Sequence, residues 1–500
     1  MNNRSRTDDM LAKLREALQH YRKHRPKVLP SDKTQSPSPT HRRSRHSSLI
    51  HRSRQEDLAH QLVRRTITDA SGNIIEIKVG IVQAPPKPQI VPQIVSEIKH
   101  EVVESHTIDS APVWTVFSSD KYFTHSPQDE IYMGRRVIVS TVGIDIGTKT
   151  IVLALRHPEG VTHFISEING YWPFENATPF VINMLNDATK LRSDGTQRAA
   201  RWIKIPGSNS AIVLGKDAEE FAFAKNDTLL RPMAEGGVAH DEQAMTVLSS
   251  IIHGLLEMAE NEVGKFKDQV KICYCTTAPG INKEVNVDYH HRVLQLILGG
   301  YQSKAQLSFN AVKESHAIVL NMSKDGDGIG ISWGAGTVTV SYVKLGMEVF
   351  SFCYVGAGDW IDEQVARRHG YDPEMSKTRK KVSKETPTTV ARRKHTIDLT
   401  PGTTIQDRLG VDIALHYDVL ISRVIDGIVQ GFEENESEAR IDDNISVYMA
   451  GGTASPVGFA ERVKTKLAAA TLPFSVGEVL CSDKPLYCVA EGCLKAAEMS

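Results

Sequence analysis

The sequence predicts an α/β body of about 365 residues behind a basic N-terminal arm with little structure of its own. Three observations lead there. From about Arg135 to the end, apolar β runs alternate with helical patterns. Three of those β runs enter a glycine-threonine turn. Residues 1–66 hold 16 Lys plus Arg against 6 Asp plus Glu, a balance of +10, whereas the net charge of −1 leaves −11 on the other 434 residues.

Five hundred residues exceed what a single core sustains, so two or more domains are expected. Hydrophobic content of 40% and charged content of 24% fit a soluble globular chain. No apolar run approaches the roughly 18–20 residues that span a bilayer, and the polar, basic start lacks the apolar stretch of a secretory signal. The six cysteines form no CxxC pair. Cys273 and Cys275 alternate along an expected strand and so point the same way. The reading is buried free thiols in a reducing cytoplasm, with metal binding as the alternative.

Taken in order, Leu11, Leu14, Leu18 and Tyr21 recur at spacings of three and four and predict a short amphipathic helix. It suits a membrane surface or a partner helix, or frays by itself. From Pro26 to about Arg54 the chain is Ser, Pro, Arg and His, too polar to bury a core. "RTITDASGNIIEIKVG" predicts a hairpin around Ser71-Gly72-Asn73, and "QAPPKPQIVPQIV" a proline-stiffened linker. The expected organisation is an arm at 1–66, a hairpin and linker at 67–134, and the body at 135–500. An anionic membrane, nucleic acid or an acidic protein are the partners a basic arm favours; a solvated, unbound tail is the alternative. A Thr- and Lys-rich stretch at 376–404 predicts an exposed subdomain or loop within the body.

The first turn is "VGIDIGTKT", residues 142–150, with Asp145 ending an apolar strand and Gly147 permitting a tight hairpin. Backbone N–H groups in such a turn can hold a phosphate, and an adjacent carboxylate can position Mg²⁺ through its water shell. An ordinary glycine hairpin explains the same residues. The second, Gly334-Ala335-Gly336-Thr337, lies between "GIGIS" and "VTVSYV". The third, Gly451-Gly452-Thr453, leads from the strand Val447–Ala450 into a helix over 459–467, and its glycines let a ring or phosphate approach the backbone.

Together these turns resemble the phosphate-1, phosphate-2 and adenosine motifs of the actin, Hsp70 and sugar-kinase ATPase superfamily, and most closely those of bacterial actins of the MreB and MamK kind. Supporting blocks are "IVLGKDAEEF", "LLRPMAEGGVAHDEQAM", "CTTAPG", "AVKESHAIVL", "YVGAGDWIDEQVARR" and "EVLCSDKPLYCVAEGCLKAAEM". The resemblance covers the body and none of residues 1–134. It implies an actin-like two-domain ATPase fold, paired ribonuclease-H-like domains around a cleft that takes ATP and Mg²⁺. By the same resemblance, Gly147, Thr148 and Lys149 would face Gly334, Ala335, Gly336 and Thr337 across the β- and γ-phosphates. Base and ribose would lie on Gly451, Gly452 and Thr453. Asp145 would hold Mg²⁺ through water, Glu314 would orient the attacking water, and Lys377 and Lys381 would approach adenine or ribose. Self-association into filaments is the implied partnership.

One position departs from the pattern. Phosphate-2 usually reads Asp-x-Gly-x-Gly-Thr, but Ser332 stands where the Asp belongs. Asp327 lies roughly 16 Å away along an extended strand and cannot substitute. Ser332 carries no charge, so nucleotide binding with slow hydrolysis is expected, and Trp333 is expected to point away from the ligand into the core. The chain closes at "LKAAEMS" right after the last expected helix, without room for a chaperone's peptide domain, and no base suited to a sugar kinase is evident. A filament-forming, ATP-binding protein is the leading expectation; a non-polymerising scaffold or adaptor is the other.

Overall fold

Apolar strands followed by amphipathic helices leave little freedom of arrangement: each sheet must bury two faces, and helices must cover both. In a computed structural model, the described residues are the strands at 65–68 and 74–77 and then 137–500, apart from 157–159, 188, 191–197, 205–209, 226–227, 261–263, 374–384 and 436–443. The expected arm helix, the Ser/Pro/Arg/His stretch, the linker, Lys377 and Lys381 lie outside them. Arg65–Thr68 pairs antiparallel with Ile74–Ile77, Thr68 facing Ile74, and the expected turn residues Ser71-Gly72-Asn73 lie outside the described ones.

Two five-stranded sheets form the body. The first contains β1 (Val137–Ile146), β2 (Thr150–Arg156), β3 (Thr162–Ile168), β4 (Gly264–Thr276) and β5 (Gln306–Lys313) in the spatial order β3-β2-β1-β4-β5. The second contains β6 (Gly328–Trp333), β7 (Thr337–Lys344), β8 (Met347–Val355), β9 (Ile445–Ala450) and β10 (Val476–Cys481) in the order β8-β7-β6-β9-β10. Each opens with three antiparallel strands and ends with two that run parallel to the first. The two halves therefore share one topology.

Between β3 and β4 lie α1 (Pro179–Asn186), α2 (Gly215–Ala224), α3 (Glu242–Met258) and a three-stranded sheet of Tyr171–Phe174, Ala211–Leu214 and Trp202–Lys204. Then α4 (Val287–Gly299) joins β4 to β5, and α5 (Glu314–Met322) follows β5. The second half carries α6 (Gly358–Arg368), α7 (Pro387–Lys394) and α8 (Arg408–Glu434) before β9, α9 (Phe459–Ala469) between β9 and β10, and α10 (Cys488–Met499) after β10. Side-chain oxygens start several helices: Asp241 accepts from Ala244 N–H at 2.7 Å, Asn286 from Tyr289 at 2.8 Å and Asp407 from Gly410 at 2.7 Å.

Alternation sorts the residues of each central strand. Val142, Ile144 and Ile146 of β1 join α3 and α4 in one apolar core, and Ile329, Ile331 and Trp333 of β6 join α8 and α9 in another. Trp333 is 1% exposed and meets Phe459 edge-on, 5.1 Å between ring centres, so it points into the core as expected. The opposite face carries Gly143 and Asp145 on β1, and Gly330 and Ser332 on β6. There the glycines matter. A Cβ on Gly143 would lie 2.1 Å from Ala490 O of α10, and one on Gly330 would lie 2.0 Å from Ser315 O of α5. The last helix of each half thus lies directly on the central strand of the other, and α5 meets α10 at Gly492, where a Cβ would lie 1.9 Å from Ala317 O.

The stretch at 376–404, expected as an exposed subdomain or loop, contains a packed helix. Thr386 and Thr389 form a reciprocal cap on α7, and Val390 and Lys394 are buried. A run of Thr, Arg and Lys reads as a solvated face; only the packing against α6 and α8 gives it an inside.

Candidate functional site

The two Gly-Thr turns have the same local chemistry. Gly147 N–H donates to Thr150 O at 3.1 Å, and Gly334 N–H donates to Thr337 O at 3.0 Å. At either glycine a Cβ would sit 2.8 Å from that carbonyl. Asp145 pairs with Val152 and Ser332 pairs with Thr339, seven residues on in both hairpins. Ser332 is therefore the internal counterpart of Asp145, an assignment that needs no comparison outside this chain.

All three turns meet at the seam between the halves. Thr148 lies against Gly336, its hydroxyl oxygen 2.8 Å from where a Cβ there would be. Gly451 has φ of 101°, and a Cβ on it would fall 2.3 Å from Trp333 O. Thr453 donates its hydroxyl to Gly334 O at 2.7 Å. The start of α6 is pinned to the second turn, with Gly358 N–H donating to Gly334 O at 3.2 Å and Asp359 N–H to Ala335 O at 2.9 Å. Gly147, Thr148, Lys149, Gly334, Ala335, Gly336, Thr337, Gly451, Gly452 and Thr453, predicted from three distant stretches, are thus gathered in one place.

Asp145 and Glu314 also meet here. Strand β5 passes without a loop into α5, so Glu314 is its first helical residue, and α5 packs by Ser315 onto Gly330, two residues from Ser332. The Ser332 hydroxyl lies beside Glu314 and helps to hold its carboxyl down, and Thr339 donates to Glu314 Oε2 at 3.4 Å. Both carboxyl groups keep some open surface yet are walled in by protein. Burial pushes Asp145 up while a thiol hydrogen bond from Cys275 opposes it; burial and then the charge of Asp145 push Glu314 up. Each carboxyl senses the other's charge, so ionising one disfavours ionising the other. Among the described residues no group of three or more His, Cys, Asp and Glu is placed to hold a metal ion. Asp145, a carboxylate beside the first turn, has the chemistry of an oxygen donor toward an ion that keeps its water shell.

Several contributors carry no mark in the sequence. Asn169 is fully buried, and its side-chain amide donates to Gly147 O at 2.9 Å while its backbone N–H donates to Lys149 O at 2.9 Å. Lys394 is 4% exposed; its ammonium donates to Gly358 O at 2.7 Å and pairs with Asp362 at 2.8 Å. Burial lowers Lys149, the charges of Lys394 and Arg231 lower it further, and Asp362 and Asp359 oppose them. Arg231 itself pairs with Asp359 across the seam. An Asn before a Gly and a Lys in a basic helix are ordinary in any sequence, and only the fold makes them notable. Of the cysteines, all six are free thiols, Cys273 and Cys275 fully buried among them, as expected.

Residues 141–497 match the Volactin family. The chain belongs to that family. Its duplicated strand order is the actin-like arrangement that the motifs imply. Similar solved structures include a MamK double helical filament, at 16% identity and a TM-score of 0.48, over 72% of this chain and 98% of that one. MreB5 of Spiroplasma citri bound to ADP is 15% identical with a TM-score of 0.44, over 70% of this chain and 94% of its own. The ethanolamine utilization protein EutJ from Carboxydothermus hydrogenoformans is 15% identical with a TM-score of 0.39, over 72% and 92%. No protein of curated function matches the chain. No helix among the described residues is long and apolar enough to cross a membrane.

Proposed function

We propose that this Volactin-family chain binds ATP with Mg²⁺ at the seam and assembles, in a nucleotide-dependent way, into cytoplasmic filaments that hydrolyse the nucleotide slowly. The observation that carries the reading is the meeting of three glycine turns with Asp145 and Glu314. The first two turns offer backbone N–H groups and Lys149 to phosphates, and the third offers glycine backbone to base and ribose. Mg²⁺, when bound, supplies charge compensation between phosphate and carboxylate. Asp145 would hold its waters, with Glu314 orienting the attacking water. Lys377 and Lys381 stay proposed neighbours of adenine or ribose.

Slow chemistry follows from Ser332. It leaves the second half without the carboxylate that the first half has, and a positioned acid–base group contributes on the order of 10²–10⁴ in rate. Closure of the halves on nucleotide would favour subunit addition, a shift as large as the difference in nucleotide affinity between open and closed states. Light scattering and sedimentation of the full chain with ATP, ADP and a non-hydrolysable analogue test this. Growth of scatter that needs ATP or the analogue supports the filament. Tight ATP binding with a flat trace favours instead a scaffold with nucleotide as a structural ligand, the reading that Ser332 keeps in view. No nucleotide binding at all ends both.

A further inference from the structure

We infer that Cys275 is a positioning residue for Asp145: its thiol donates a hydrogen bond that fixes the carboxylate and leaves the second oxygen to the metal's water shell. This rests on the nucleotide reading above. The geometry is a relay of two bonds. Ile146 N–H donates to Cys275 Sγ at 3.2 Å, which holds the sulfur, and Cys275 S–H donates to Asp145 Oδ1 at 3.2 Å. Parallel pairing of β4 with β1, Tyr274 facing Ile144, carries Cys275 beside Asp145 on the same sheet face.

The internal duplication supplies a control. β9 pairs parallel with β6 so that Ala450 faces Ser332. Cys275 and Ala450 are therefore counterparts, as Asp145 and Ser332 are. Where the half-site has a carboxylate, its neighbour is a hydrogen-bond donor; where it has a hydroxyl, its neighbour is a methyl group. Packing alone does not explain this, because both neighbours are fully buried.

A thiol suits the task. An ordinary thiol is mostly protonated near neutral pH, and with Ile146 N–H already donating to the sulfur, the S–H is left to donate to Asp145. An S–H donor is weak toward neutral oxygen and strengthened by a charged one. Withdrawing charge from Asp145 therefore weakens the bond, and the S–H vibration reports it. Partners of this kind, one step behind a metal-facing group, typically alter metal affinity by about 10–100-fold when removed.

The experiment uses the full-length protein, infrared difference spectroscopy of the S–H stretch, and the Mg²⁺ dependence of ADP binding. A low-frequency S–H band should vanish in Cys275→Ala, move to higher frequency in Asp145→Asn, and move the same way when wild type takes up Mg²⁺ with ADP. Cys275→Ala should need roughly tenfold more Mg²⁺ for half-maximal ADP binding, with ADP binding in EDTA unchanged, and Cys275→Ser should recover most of the loss. A band indifferent to Asp145→Asn overturns the inference, as does a Mg²⁺ midpoint within twofold of wild type in Cys275→Ala. If Cys275→Ala does not fold, the Asp145→Asn band and the Cys275→Ser midpoint decide. If wild type binds no ADP, the functional reading fails separately, and the Asp145→Asn band alone still decides whether the thiol bonds the carboxylate.

Discussion

Ser332 is 3% exposed and faces Glu314, which is close enough to Asp145 for their charges to interact. Ser332→Asp would place a third carboxylate in that space. The free protein should melt at a lower temperature, Mg²⁺ with ATP should stabilise it more than it does wild type, and turnover should rise by roughly tenfold or more. An unchanged melting temperature would show that the position does not face the other two acids. A second residue sets a pH limit unrelated to the site. His290 is buried, its Nδ1 has no hydrogen-bond partner, and burial followed by His291 depresses it to about 4. The unfolded chain, with an ordinary histidine near 6.5, then binds more protons, so stability falls as pH drops from about 6.5 toward 4. The loss is on the order of 3 kcal/mol once both states are protonated. His290→Gln should flatten the fall in melting temperature between pH 7 and 5; an identical slope would rule the histidine out as its source.

Helices α5 and α10 pack closely, because each crosses a central strand at a glycine. Gly330→Ala would drive a Cβ to 2.0 Å from Ser315 O, and Gly143→Ala to 2.1 Å from Ala490 O. Overpacking of this kind costs about 1–3 kcal/mol, or more where backbone must move. The displacement of α5 would also carry Glu314 away from Ser332. Urea denaturation of Gly330→Ala should show a lower midpoint, and a midpoint equal to wild type would mean that α5 does not lie on β6 as described. Element by element, the sequence already showed the β runs, their turns and the inward Trp333. It did not show the buried side of α7, since "TVARRKH" has the composition of a solvated surface. Nor did it show that Gly143 and Gly330 are packing contacts, because a glycine inside a strand looks the same whether a helix or water lies above it.

Across the whole molecule, the halves are joined at the seam by contacts that a bound ligand would have to respect. Arg231 pairs with Asp359, and the Arg392 guanidinium lies 4.6 Å from the centre of the Phe223 ring. Exposed contacts of these kinds contribute about 0–1 kcal/mol each. If they close the lips over nucleotide, Arg231→Ala combined with Phe223→Ala should release a fluorescent ADP analogue a few-fold faster, with little change in melting temperature. Equal release rates would mean that the lips do not limit exit. The arm belongs to this scale too. Its +10 balance predicts that deleting residues 1–66 removes salt-sensitive binding to anionic liposomes or DNA; binding that survives the deletion would place the contact on the body.

The order of β runs, the three glycine turns, the charge of the arm and the serine in place of an acid were all fixed locally, by spacing and residue type within short windows of chain. Tertiary structure alone decided which of these windows touch. It set Cys275 beside Asp145 through a parallel pairing 130 residues apart, brought Glu314 to Ser332 by laying a helix of one half on a strand of the other, and gave Lys394 an interior. Such contacts depend on strand register and helix crossing, which are properties of packed pairs of segments and leave no periodicity in either segment alone.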